Sequence, residues 1–384
     1  MTDDLMETGR KAERIASNLL WAGSPERPAW NQELARSGAR NRWNYVDGLM
    51  IAAFLELYRL NGDPQVLAFC DGFLGSFVGE DGSVASMDPG AARLDDVCGA
   101  QNFFPLYELT GKEKYRTACG VMFRFLRSCP RIREGNFWHK RIYPHQVWLD
   151  GAFMALPFYM EYETKCGKMQ HYHDLYAQFM NLRARMRDPA TGLYYHGYDA
   201  SRAAPWANPE TGCSANFWLR ADGWLAMALT DTLEQMDEQI YYEYRRLQAM
   251  LKELVDALLP WQREDGMWLQ VVDRPDDPGN YPETSGTCMV ARAVLKAVRL
   301  RLLPERYFPF GAKAFYGTAG RYLGLRNGEP SLGGVCLVGG LGGPRKRDGT
   351  PAYYYGEPVV ADDGKGVAPF LMAYAELLRA ERAK

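Results

Sequence analysis

One pattern constrains this chain more than any other. A short polar or acidic element beside a glycine is followed by a helical run that is apolar on almost every face. It recurs six times, at 46–58, 94–109, 149–162, 222–233, 284–298 and 363–378. Runs such as GAFMALPFYM and GTCMVARAVLKAV are apolar on most faces, and a helix apolar nearly all round is a buried one. Between them lie amphipathic stretches at 4–20, 64–77, 112–127, 170–186, 239–259 and 304–323. Their Leu, Met and Val recur at i, i+3, i+4 spacing opposite the charges. Six buried helices alternating with six half-buried ones predict an all-α fold closed on itself, the (α/α)6 barrel. The competing arrangement, a linear helical solenoid, needs polar capping repeats at its ends, and the last run here is as apolar as the others. Residues 1–384 then make a single domain, although length alone would suggest two or three.

Several amphipathic stretches are followed by a glycine turn and a short aromatic run: EDG at 80–82, EGNFWH at 134–139, ATGLYYH at 190–196 and EDGMWL at 264–269. These predict short β-hairpins gathered at one mouth of the barrel, just before the buried helices begin. The mouth gains weight from composition. Aromatic residues make up 13% of the chain, with 10 Trp and 23 Tyr. A core does not need so many rings with polar tips, whereas a lined cleft for a flat ligand such as a sugar does. Net charge is −2, without the basic excess of a duplex nucleic-acid binder. The eight Cys form no CxxC, metal spacing or dense framework, which predicts free thiols in a reducing compartment. No apolar run reaches membrane-spanning length and no leader-like segment opens the chain. The expectation is a cytoplasmic protein, monomeric or weakly dimeric, without nucleic-acid or membrane partners.

The richest mouth segment is NFWHKRIYPHQVWLDG, 136–151, ending on Asp150 at the head of a buried helix. Partial desolvation there would raise the carboxyl pKa and suit it to general acid catalysis. A helix cap is the alternative role. Asp95 and Asp96 open the preceding buried helix. Neighbouring helix residues point about 100° apart, so only one of them faces the lumen. Carboxylates on adjacent inner helices could form an acid/base pair. His139 and His196 follow aromatic residues, each either a structural donor or a ligand-binding group. Arg220, flanked by Trp218 and Trp224, either clamps a carboxylate in its fork or closes a helix-end ion pair. No set of residues has metal spacing, and no cofactor motif is complete: the glycines at 333–343 lack both the P-loop Lys-Ser/Thr and the spaced dinucleotide-binding pattern. They read as a tight loop crossing the mouth.

At these residues the sequence resembles the unsaturated rhamnogalacturonyl hydrolases, glycoside hydrolase family 105. FWHKRIYPHQVWLDGAFMALPF carries most of the likeness, with RLDDV, LYYHGYD, FWLRADGW, ETSGT and LGGPRKRDGTPAYYYGEPVVADDGKGV in support. The resemblance implies an (α/α)6 barrel acting, without metal or cofactor, on a small oligosaccharide that a polysaccharide lyase has left with a Δ4,5-unsaturated uronic acid at its non-reducing end. A carboxyl group protonates C4, water adds at C5, and the hemiketal falls apart. It implies Asp150 as the acid/base and Asp95 as its partner. His139, Lys140, Trp148, His196, Trp218, Arg220 and Trp224 are implied as the sugar site. Two positions depart from the family pattern: RLDDVCGAQ has no basic residue after its glycine, and Asp222 is acidic where a neutral residue is expected. Both bear on the sugar beyond the uronate. The alternatives are a related hydrolase of unsaturated glycosaminoglycan disaccharides, another (α/α)6 sugar enzyme, or a toroid that binds carbohydrate or protein without catalysis.

Overall fold

The six apolar runs become six inner helices, Tyr45–Asn61, a segment from Asp95 to Thr110, Leu149–Lys165, Leu219–Gln235, Thr284–Arg299 and Gly364–Arg382. In the computed structural model, which describes residues 3–237 and 239–383, each packs against the next and the last packs against the first. That final contact closes the ring and excludes the linear solenoid. Six outer helices, Asp3–Ala22, Pro64–Gly75, Glu113–Ser128, Tyr172–Met186, Tyr241–Leu258 and Phe308–Tyr322, surround it. The 1–384 span expected of one domain includes residues 1, 2, 238 and 384, which lie outside the described residues.

The glycine of the sixfold pattern marks where inner helices converge. A Cβ on Gly48 would sit 2.6 Å from the Gly99 Cα, and one on Gly286 would sit 2.9 Å from the Arg220 nitrogen. Only a residue without a side chain permits that approach. The second inner helix is not continuous: Asp95–Cys98 is α-helical, Gly99–Asn102 is 3-10, and Phe103–Thr110 resumes the α form. The break falls where Gly99 lies against the Trp43 ring and Asn102 donates to the Gly48 and Gly99 carbonyls. In the third inner helix Pro157 has no N–H for the Phe153 carbonyl. Gln101 of the neighbouring helix donates to it instead, at 2.7 Å.

The mouth strands differ from the hairpins expected. The glycine turns close only single bridges, Val78 with Val84, Arg131 with Phe137 and Arg187 with Tyr194. The regular pairing is between successive loops: β1 (Gln146–Trp148) is antiparallel to β2 (Gly197–Asp199), with Trp148 opposite Gly197. Two loops cannot pair this way until the barrel has brought them together. β3 (Leu323–Arg326) and β4 (Glu329–Leu332) do form a hairpin around Asn327-Gly328, both at positive φ. β5 (Val335–Cys336) pairs with β6 (Val359–Val360). The glycines at 333–343 follow the mouth as expected, and a Cβ on Gly339 would lie 2.2 Å from the Trp218 ring.

At the opposite end the inner helices finish in a charge network. Asp231 lies 2.6 Å from both Arg292 and Lys296, Glu234 is 2.6 Å from Lys296, and Glu376 lies 2.6 Å from Arg299. Asp231, Glu234, Arg292 and Lys296 border a polar cavity of about 170 Å3 with Glu56 and Glu161 from other inner helices. Phe153 also borders it and stacks on Trp224 at 4.7 Å.

Candidate active site

All six inner helices begin at one mouth, and each carries an acid there: Asp47, Asp95, Asp150, Asp222, Glu283 and Asp363. Four are tied to the scaffold. Asp47 accepts from Trp30 Nε1, Asn41 and Asn44, and burial pushes its carboxyl up to about 6. Asp222 is fully buried and accepts from the Tyr194 N–H, and its pKa is driven well above the ordinary value by burial. Glu283 caps its helix through Gly286 N and also accepts from Cys336 N. Asp363 accepts from the Lys365 N–H and pairs with the Lys365 ammonium at 3.1 Å. Asp95 and Asp150 alone among the six keep more than a tenth of their side chains open, 16% and 13%.

These two stand on adjacent inner helices amid imidazoles and an ammonium. Lys140 Nζ is 2.6 Å from Asp95 Oδ2, and His139 Nε2 is 3.5 Å from Asp95 Oδ1. His196 Nε2 is 3.2 Å from Asp150 Oδ2, but the two are not aligned as a hydrogen bond and both atoms remain without one. Asp150 makes no cap: the helix begins at Leu149 with no side-chain bond to its first amides. Asp96 turns away, accepting from Arg93 Nε at 3.2 Å, and burial lifts its carboxyl to about 6. One of the adjacent pair therefore faces the lumen, as helix geometry requires.

The electrostatics reverse one expectation. Burial does act to raise the Asp150 carboxyl, but His196 and His139 outweigh it and hold the group below its ordinary range. Asp95 is likewise depressed, burial being overcome by Lys140 and His139. Burial pushes His139 down to about 4, so its imidazole is neutral near pH 7. The Lys140 ammonium is retained because Asp95 outweighs the desolvation that opposes it.

The tryptophans hold the imidazoles rather than lying open. The Trp148 ring, 4% exposed, stacks on His139 at 4.4 Å and Tyr143 at 5.0 Å and meets His196 edge-on at 5.5 Å. Trp218, 1% exposed, packs against His196 at 4.6 Å and stacks on Tyr354 at 5.8 Å. Trp224 is as deeply buried, between Phe153 and Tyr45. Much of the aromatic surplus thus builds the wall of a cleft and not its open surface. Arg220 is also largely committed. Its Nε donates to Ser285 Oγ at 2.7 Å, its Nη2 donates to the Cys336 carbonyl and lies 3.6 Å from Glu283. Among the described residues only Nη1 has no hydrogen bond or ion pair.

Three further residues escaped the sequence reading. Tyr354 places its hydroxyl 2.8 Å from His196 Nδ1. Glu283 binds Arg220, and Tyr45 feels the charges of Lys365, Asp95 and Arg220. The motifs ETSGT and PAYYYG were visible, but no spacing rule connects residue 354 with residue 196.

A profile described as Glycosyl Hydrolase Family 88 matches residues 27–381. Among solved structures, a family 105 glycoside hydrolase from C. acetobutylicum is 38% identical and superposes with a TM-score of 0.86 over 88% of this chain and 94% of that one. An unsaturated glucuronyl hydrolase from Bacillus sp. GL1, 16% identical with a TM-score of 0.70, shares the fold over 99% of this chain and 97% of that one. A 24.9 kDa protein in the picA locus of Rhizobium radiobacter is 43% identical over 233 residues, 59% of this chain and 98% of that one. The unsaturated rhamnogalacturonyl hydrolase YesR of Bacillus subtilis is 27% identical over 201 residues, 51% of this chain and 55% of that one. The protein is a glycoside hydrolase with the helical toroid of that class. It belongs to the family 88 and 105 group of unsaturated uronyl hydrolase-like enzymes. Among the described residues no helix is long and apolar enough to cross a membrane.

Proposed function

We propose that the enzyme releases a Δ4,5-unsaturated uronic acid from the non-reducing end of lyase-generated oligosaccharides of rhamnogalacturonan or related type. The supporting observation is the selection among six equivalent acids. Of the six, only Asp95 and Asp150 keep more than a tenth of their side chains open at the mouth, side by side and flanked by His139, Lys140 and His196.

In this reading Asp150 is the general acid/base. It gives a proton to C4 of the vinyl ether while water adds at C5, and it recovers the proton from that water. The C5 hemiketal opens and the glycosidic oxygen departs with the next sugar, so one water is consumed for one bond cleaved. The free enzyme holds Asp150 ionised, and the acid step needs it protonated. An arriving uronate brings a second negative charge close to Asp150, which raises its pKa and draws in the proton. Asp95, fastened by Lys140, orients water and sugar. The Arg220 Nη1 and Lys140 are the cations available to the uronate carboxylate. Trp148, Trp218 and Trp224 shape the cleft around the histidines. We read the whole chain as one catalytic domain. The eight free thiols, seven of them buried, favour a reducing cytoplasmic setting, and we take the enzyme to be monomeric or weakly dimeric.

The test is loss of vinyl-ether absorbance on unsaturated disaccharides. Turnover by the wild-type protein, abolished in Asp150→Asn with binding retained, is expected. No turnover of any unsaturated uronide, galacturonate- or glucuronate-derived, would overturn the reading.

A further inference from the structure

Beside the catalytic mouth lies a second hollow that the reaction above does not use. It measures about 500 Å3 and its lining includes Glu33, Arg40, Asn41, Arg42, Asn44 and Tyr45. Tyr45 joins it to the lumen: this residue opens the first inner helix, its ring lies 6.4 Å from Trp224, and its phenol is within the field of Asp95 and Arg220.

The loop that forms the hollow is built rather than loose. Asp47 draws Asn41 and Asn44 onto the helix start at 2.7 and 2.9 Å, and Asn41 also donates to the Pro25 carbonyl. Trp43 is pinned from two sides, its backbone N–H to Ser86 Oγ at 2.9 Å and its indole N–H to the Asp96 carbonyl at 2.6 Å. The rim is thereby fastened to the helix that carries Asp95.

Its charge is unbalanced. Glu33 is paired with the buried Lys365 at 2.9 Å, an ammonium that Asp363 shares. Arg40 and Arg42 are exposed, and among the described residues neither guanidinium has an ion pair or hydrogen bond. Arg59, Arg93, Arg127, Arg131, Arg183 and Arg299 all have acid partners. Two free forks on a rigid loop, over a hollow whose one acid is already paired, favour a ligand that supplies negative charge.

We propose that this hollow is a subsite for an anionic group, a carboxylate or a sulfate, carried by the leaving portion of the substrate. The inference rests on the reading of the active site given above and extends it: the substrate is acidic on both sides of the scissile bond.

The experiment uses three oligosaccharides with the same unsaturated uronyl end. One has a neutral leaving portion, one carries a further uronate there, and one a sulfate ester. For the wild-type enzyme kcat/KM is expected to favour an anionic leaving portion by about tenfold at low salt, acting through KM and fading as salt rises. Whichever anionic substrate shows the preference identifies the group. In the double variant Arg40→Gln/Arg42→Gln the ratio should fall to about one. Equal kcat/KM for all three in the wild type, or an undiminished ratio in the variant, overturns the subsite. Calorimetric binding of the same three sugars to Asp150→Asn, with and without the arginine substitutions, separates the two readings. A charge preference that depends on the arginines, found without turnover by the wild type, would sink only the hydrolase reading. Indifferent binding would sink the subsite.

Discussion

His196 Nδ1 lies 2.8 Å from the hydroxyl of Tyr354, 158 residues later in the chain, and both side chains are wholly buried. Burial drives the Tyr354 phenol far above its ordinary pKa, so it keeps its proton and donates. An imidazole that accepts this bond at Nδ1 carries its proton on Nε2, the atom that faces Asp150 at 3.2 Å. In the proposed reaction Tyr354 would serve as a positioning residue that selects the tautomer. Tyr354→Phe is expected to lower kcat by about 10- to 100-fold with little change in KM, while thermal stability moves by about 1 kcal/mol. A kcat within twofold of wild type in steady-state assays would remove this role.

The acids at the other helix starts give a sharper comparison. Asp150→Asn should lose about 10³-fold or more in kcat. Asp222, whose carboxyl burial drives well above its ordinary pKa, is close in shape to Asn. Asp222→Asn should therefore keep kcat within a few-fold. Comparable losses in both variants would mean that mouth exposure does not mark the catalytic acid.

The pH dependence follows from the directions of shift. Asp95 and Asp150 are both depressed in the folded protein. Their ionised forms contribute stability that is present above the unfolded carboxylate range, about 4, and is lost as pH falls through the lower folded values. Protonation of Asp95 should accordingly cut kcat/KM only below about pH 4, whereas the proton that the acid step needs on Asp150 makes kcat/KM fall as pH rises above that range. His139, at about 4, supplies no limb near 6.5. A limb of kcat/KM centred near pH 6 would contradict the ionised resting state of the pair.

The far end of the barrel tests the fold itself. Removing the Asp231 charge leaves Arg292 and Lys296, each about 5% exposed, without their shared partner. Breaking a buried pair in this way costs about 3–5 kcal/mol. Denaturant titration of Asp231→Asn should show that loss, and Asp231→Leu with Arg292→Met and Lys296→Met should recover part of it. A loss below 1 kcal/mol would show that solvent already fills this end.

Gly339 bears on the mouth alone. The Cβ of Gly339→Ala would press into the Trp218 ring, so the loop or the ring must move, at a cost of about 1–3 kcal/mol. Because Trp218 packs against both His196 and Tyr354, the expected readout is a lower kcat in a protein with unchanged far-UV circular dichroism. Wild-type kcat would mean that the ring is free to shift without consequence.

The residues by themselves determined the barrel. Apolarity on all faces is a local property of a helical run, and six such runs alternating with one-sided ones can be buried together only as a ring within a ring. Asp150, Asp95 and His139 were also legible, because each sits beside a helix start that local pattern locates. What only the tertiary structure decided is which acids stay open at the mouth and which are tied to the scaffold. Asp47, Asp222, Glu283 and Asp363 stand at similar helix starts, and their fates depend on Trp30, Tyr194, Cys336 and Lys365, mostly partners that closure delivers. The same holds for the direction of the Asp150 shift, where burial predicts a rise and imidazoles from two neighbouring loops impose a fall, and for Arg220, whose fork is occupied by Ser285, Glu283 and the Cys336 carbonyl. Periodicity is written along the chain, whereas electrostatic environment is a sum over groups that become neighbours only when the ring closes.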